Sequence, residues 1–127
     1  MYREVTKNVQ IDVQPEFVAE HSDPKVHRFV FSYKVKITNL GKVETQLLSR
    51  HWIISDGHGK VEEVEGPGVI GQQPKLAPGA TFEYSSFCPL TTPTGNMRGT
   101  YLMVNGKGEK YEVKIPLFFL RDMAHLH

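Results

Sequence analysis

The sequence predicts an all-β fold, an antiparallel β-sandwich of seven or eight strands. Three observations lead there. Apolar residues alternate with polar ones in segment after segment, the period of a half-buried strand. Turn-forming pairs such as Asp56-Gly57, Pro78-Gly79 and Asn105-Gly106 punctuate the chain at short intervals. No window carries a 3.6-residue apolar period, so no helix is available to cover a sheet. Two one-sided sheets can then bury their apolar faces only against each other, with a closed barrel as second choice.

The elements follow in order. From Val5 to Val13, Val5, Val9, Ile11 and Val13 share one parity and Thr6, Asn8, Gln10 and Asp12 the other, which reads as one strand. Pro15 breaks or bends it before Phe17 and Val18. His21-Ser22-Asp23-Pro24 signals a turn. The clearest strand is His27 to Asn39, with Phe29, Phe31, Tyr33, Val35 and Ile37 pointing one way, and Asn39-Leu40-Gly41-Lys42 ends it. Thr45 to Ser55 is a strand with large apolar residues on both parities. Arg50 alternates with Leu48, Trp52 and Ile54, and His51 with Leu47 and Ile53, so strict alternation threatens to bury a polar group. Trp52 as core anchor, with Arg50 reaching to an edge, resolves this; so does a bulge or a solvent-facing concave sheet.

Asp56-Gly57-His58-Gly59 makes a hairpin turn into a short return strand, Val61 to Glu65. After the turn Leu76-Ala77-Pro78-Gly79, Thr81 to Cys88 is a strand, residues 89–95 form a loop, and Gly99 to Asn105 is another strand. Asn105-Gly106-Lys107-Gly108 turns into the last strand, Lys110 to about Leu120, with Tyr111, Val113, Ile115, Leu117 and Phe119 in one register. The tail, about 121–127, is expected to fray.

A chain of 127 residues, 39% hydrophobic and 23% charged, suits a single soluble globular domain. No apolar run approaches membrane-spanning length, and the start, Met1-Tyr2-Arg3-Glu4, lacks a secretory signal. Cys88, alone, allows no internal disulfide, so a cytoplasmic location is expected. Net charge is +1, with 15 basic and 14 acidic side chains interspersed, which argues against a nucleic-acid partner.

Residues 66–71, GPGVIG, match the G-x-G-x-x-G pattern that cradles a pyrophosphate in dinucleotide-binding folds. That chemistry needs a helix N-terminus behind the glycines. Here Pro74 and Pro78 oppose a helix, and no parallel strand with an acid follows about twenty residues on. The motif reads instead as a glycine-rich crossover loop, with Gly66, Gly68 and Gly71 in unusual backbone angles, Pro67 stiffening the turn, and Val69 and Ile70 tucked against the sandwich edge. Binding of a nucleotide or polyphosphate by loop amides, with Lys75 as the nearest cation, is the alternative.

Three blocks, LLSRHWIISDGHG (47–59), EGPGVIGQQPKLAPG (65–79) and FEYSSFCPLTTPTGNMRGTY (82–101), resemble the bacterial ApaG family in order and spacing. The resemblance runs from about Val5 to Phe118. It implies a fibronectin type III-like (immunoglobulin-like) sandwich in a small cytoplasmic protein, with no established enzyme activity. It also implies a protein-interaction role, as inferred for related domains of F-box proteins and a polymerase-associated protein. The family is linked to cobalt resistance and magnesium efflux, and by gene neighbourhood to diadenosine tetraphosphate hydrolysis.

The remaining constellations are weak. The six histidines include His51 and His58 flanking a strand end and His125 and His127 in the tail, and none has metal-ligand spacing. No spacing rule joins Ser85, Ser86, Cys88 and His51 into a nucleophilic site, and Glu62, Glu63 and Glu65 read as a solvated face. The expectation is therefore a non-enzymatic module with no cofactor and no resident metal. Its partner would be a protein, or a second copy pairing through a sheet edge. The binding surface is expected around Arg50, His51, Gly66, Pro67, Gly68, Gly71 and Lys75.

Overall fold

The computed structural model describes residues 1–122. Among them lie β1 (Tyr2–Thr6), β2 (Val9–Phe17), β3 (Phe29–Asn39), β4 (Thr45–Asp56), β5 (Val61–Pro67), β6 (Lys75–Leu76), β7 (Thr81–Leu90), β8 (Thr94–Asn105) and β9 (Lys110–Arg121), with short 3-10 turns at Ala19–His21 and Pro24–Val26. One antiparallel sheet runs β1-β2-β3-β7; the other runs β5-β4-β8-β9, with β6 pairing the start of β4. The expected antiparallel sandwich forms, with nine strands among the described residues where seven or eight were expected.

Part of that difference is the first hairpin. The alternation from Val5 to Val13 is two strands joined by Lys7 and Asn8, both with positive φ (48° and 66°). The turn is a tight two-residue hairpin of the kind that matches strand twist. Asn tolerates that conformation but Lys is no turn signal, and the period of two survives across the turn, so the sequence hides it. Thr6 lies opposite Val9 and Val5 opposite Gln10. Val9, Ile11 and Val13 are buried, whereas Val5 stays on the solvent face. Pro15 does not end β2, which continues to Phe17. Past Val13, the partner of Tyr2, β1 has ended, and Pro15 has a strand neighbour only at Tyr33. Its missing N–H can face the open side.

In β9 the register changes at Pro116. Gly99 pairs with Ile115 and Met97 with Phe118, so β9 carries an extra residue there. Val113, Ile115, Phe118 and Leu120 are buried, whereas Leu117 and Phe119, expected in the buried register, face outward. The loop expected at 89–95 is only a tight corner, since β7 runs to Leu90 and β8 starts at Thr94. β9 extends to Arg121, and the Asp122 N–H donates to Pro93 O at 2.8 Å.

Apolar faces of both sheets meet around Trp52. Its ring stands edge-on to Tyr33, Tyr101 and Phe118 at centroid distances of 5.3, 6.3 and 6.0 Å. On one side the sandwich is closed, with β1 and β2 packed against β9. On the other, β7 and β5 are the last strands of their sheets, and among the described residues neither has an outer neighbour.

Candidate functional site

Between β7 and β5 the sheets part, leaving a cleft of about 490 Å³. Tyr33, Trp52, Tyr84 and Met97 lie at its base, and Ile70 and Phe87 at its mouth. The cleft holds one of the residues that sequence reasoning singled out, Arg50, and the path of β4 explains why. Leu47 pairs with Met103 and Ser49 with Leu102, so Leu48 is the extra residue of a bulge. Ahead of the bulge Leu47 is buried in the core. Beyond it Arg50, Trp52 and Ile54 line the cleft. The strict alternation that put Leu47 with His51 is therefore reset by one residue. His51 turns to the other face, where its Nε2 lies 2.8 Å from Glu63 Oε1 and 3.4 Å from Glu65 Oε1. No group of three or more His, Cys, Asp or Glu able to hold a metal occurs among the described residues. His125 and His127 lie outside them.

Arg50 is half-buried. Its Nη1 donates to Pro67 O at 3.0 Å and to Gly68 O at 3.1 Å. Gly66 lies directly opposite it in the β4–β5 ladder, and a Cβ there would sit 3.1 Å from Nη1. So Gly66 leaves room for a guanidinium toward which Pro67 and Gly68 turn their carbonyls. Three of the loop's amides are engaged: Gly68 N–H donates to Leu48 O at 2.8 Å, Val69 N–H to Gln72 O at 2.8 Å, and Gln72 N–H to Val69 O at 2.9 Å. Gly68 has φ +63°, and a Cβ on it would stand 2.3 Å from Gln72 O, so only glycine fits. Ile70 and Gly71 are the centre of a tight hairpin turn, at φ 44° and 76°. Val69 is buried as expected, but Ile70 is 55% exposed rather than tucked in. After Gly71 the chain passes Pro74 into β6, not into a helix. Lys75 is exposed on β6 opposite Gln46, four residues from Arg50 along β4, and does not join the cleft.

Sequence reasoning missed the tyrosines of the cleft and Phe87. Tyr84 hydrogen-bonds Tyr101 hydroxyl to hydroxyl, and Ser86 hydrogen-bonds Tyr33. Burial raises all three tyrosine pKa values above the ordinary 10.0, with Arg50 drawing them slightly back. Burial also pushes the Cys88 thiol up to about 11, the Glu62 charge adding to it. Phe87 carried one signal, an aromatic on the polar parity of its strand, with Thr81, Glu83 and Ser85.

These shifts set an alkaline limit. Each group holds its proton in the fold to higher pH than in the unfolded chain. The associated stability is complete below about pH 9 and falls as pH rises, by about 1.4 kcal/mol per pH unit for each such proton. Urea midpoints measured from pH 8 to about 11 are expected to drop steeply, and less steeply in Tyr84→Phe. Equal slopes in the two proteins would refute the assignment.

A family model described as the ApaG domain matches residues 19–105. The chain is 49% identical over 126 residues to Protein ApaG of Azorhizobium caulinodans, covering 99% of this chain and 96% of that protein. It is 51% identical over 125 residues to Protein ApaG of Rhodospirillum centenum, covering 98% and 95%. The crystal structure of a Bordetella pertussis protein named ApaA superposes with a TM-score of 0.89 at 53% identity, over 91% of this chain and 94% of that one. The C-terminal domain of wzt, at 9% identity and a TM-score of 0.57 over 94% and 76%, shares the fold alone. No helix among the described residues is long and apolar enough to cross a membrane. With the sandwich, the three sequence blocks and near-full-length relatives at about half identity all in agreement, the chain belongs to the ApaG family.

Proposed function

We propose that the chain is a cytoplasmic protein-interaction module without enzymatic activity, and that an extended segment of its partner lies in the cleft between β5 and β7. The observation that carries this reading is the pairing of two unpartnered strand edges across an apolar cleft, with Ile70 55% and Phe87 59% exposed at its mouth. Strand edges present unpaired N–H and C=O groups, and addition of a strand gives affinity through the main chain and selectivity through alternate side chains. Self-pairing of two copies through β5 is less favourable, because it sets Glu62, Glu63 and Glu65 near their own copies. The nucleotide alternative at 66–71 has less support, because Gly68, Val69 and Gln72 already donate their amides within the chain. The family's link to cobalt and magnesium handling is then a consequence of partner binding.

A photo-crosslinking residue at position 87 is expected to give discrete protein adducts in bacterial lysate, and one at Lys114, on β9, none. Ser86→Arg, which fills the cleft, should abolish the adducts. Equal labelling from both positions, or adducts untouched by Ser86→Arg, would defeat the assignment.

A further inference from the structure

We infer that the cleft selects an acidic extended peptide, one that places an Asp or Glu side chain on Arg50 and an apolar residue against Ile70 and Phe87. The inference rests on reading the cleft as a partner groove, and it names the chemistry of the partner.

The first ground is charge. Arg50 engages only Nη1, and with carbonyls rather than a carboxylate. Among the described residues its Nε and Nη2 have no acceptor and no acid pairs with it. The cleft's own acids stand apart: Glu62 lies opposite Ile54, and Asp56 ends β4. Four residues of strand separate Ile54 from Arg50, about 13 Å along β4. Tyr33 and Tyr84, which line the cleft with Arg50, are neutral at physiological pH and do not compensate the guanidinium charge. Tyr33, Tyr84 and Ser86, each bearing a hydroxyl, line the same cleft. A half-buried, forked cation with free donors beside hydroxyl groups is complementary to a carboxylate, which it can bind through two parallel N–H···O bonds.

The second ground is Ile70. A β-branched residue at φ 44° is a steric outlier, where Gly or Asn fits without strain. This one is also 55% exposed and lines the same cleft as Phe87. Folding alone would favour the smaller residues. An apolar contact from a bound segment gives the isoleucine a role that the fold does not.

The test uses the full chain and nine-residue fluorescent peptides of alternating polar and β-branched residues, identical but for Glu, Gln or Lys at the centre. In anisotropy titrations the Glu peptide is expected to bind roughly tenfold more tightly than the Gln peptide, and the Lys peptide most weakly. Arg50→Gln should bring the Glu:Gln ratio to about one, while Arg50→Lys, which keeps the charge, retains a reduced preference. Should Arg50→Gln fail to fold, loss of the wild-type Glu preference at high salt reads the same contact. Ile70→Asn should weaken all three peptides alike while raising the melting temperature.

Equal binding of Glu and Gln peptides by the wild type would overturn this inference and leave the groove reading standing. Absence of peptide binding together with absence of adducts from position 87 would overturn both. Tripolyphosphate that displaces the Glu peptide and itself shifts the amides of Gly66–Gly71, but not those of β7, would replace the peptide with a phosphate ligand.

Discussion

Trp52→Ala is expected to destabilise the fold by about 4 kcal/mol and to lower the melting temperature by roughly 15 °C. Trp52 is 3% exposed and stands where the two sheets meet, edge-on to Tyr33, Tyr101 and Phe118. Truncation removes an aromatic surface of about 200 Å² and the ring contacts that add to its burial. The strands on either side are held by their ladders and cannot collapse into the space. Trp52→Phe should recover about half of the loss, because a smaller ring keeps the edge-to-face contacts with Tyr33 and Phe118. Trp52 is the only tryptophan, so wild-type unfolding can be followed by fluorescence and the variants by circular dichroism. An alanine variant melting within a few degrees of wild type would show that the aromatic cluster is not the centre of the core.

Gly99→Ala is expected to cost about 3 kcal/mol or more, a fall of roughly 10 °C in melting temperature. Gly99 lies in β8 with β4 on one side and β9 on the other, opposite Trp52 and Ile115. A Cβ there would stand 2.1 Å from His51 O and 3.2 Å from Trp52 Cα. The obstruction is backbone of a central strand, which cannot swing aside as a side chain could. The lack of a side chain at Gly99 lets β8 approach β4 this closely. Gly106→Ala is the control. A Cβ there meets only Val43 Cγ1 at 3.6 Å and Glu44 O at 3.9 Å, and the change should stay within about 0.5 kcal/mol. Equal melting temperatures for the two variants would refute the close approach.

Much of the sandwich was legible because one-sided burial writes itself into the sequence. In β3 the alternation of Phe29, Phe31, Tyr33, Val35 and Ile37 predicted five buried side chains, and all five are buried. Legibility failed wherever a backbone irregularity changed parity without a residue to announce it. The Lys7-Asn8 turn, the extra residue at Leu48 and the break at Pro116 each moved side chains to the face opposite the one predicted. In β4 that single residue put Arg50 and Trp52, rather than His51, on the face that Leu47 buries, while His51 turned to the other face with Glu63.

The glycine pattern at 66–71 is the sharpest case. The prolines after it argued from sequence against a helix, and the chain there enters β6. Nothing in the sequence indicated that Pro67 and Gly68 turn their carbonyls toward Arg50, or that Ile70 stands exposed at a cleft.

Composition, period and turn chemistry alone determined that this chain makes two antiparallel sheets face to face, because each strand's burial is a local property of alternating residues. Where the sandwich closes and where it opens was decided only in three dimensions. Which strands end as edges, and which side chains converge between them, depends on pairings between residues far apart in the chain. Arg50, Tyr84 and Ile70 share a cleft because β4, β7 and the crossover loop meet at the open side, and no local pattern encodes that meeting.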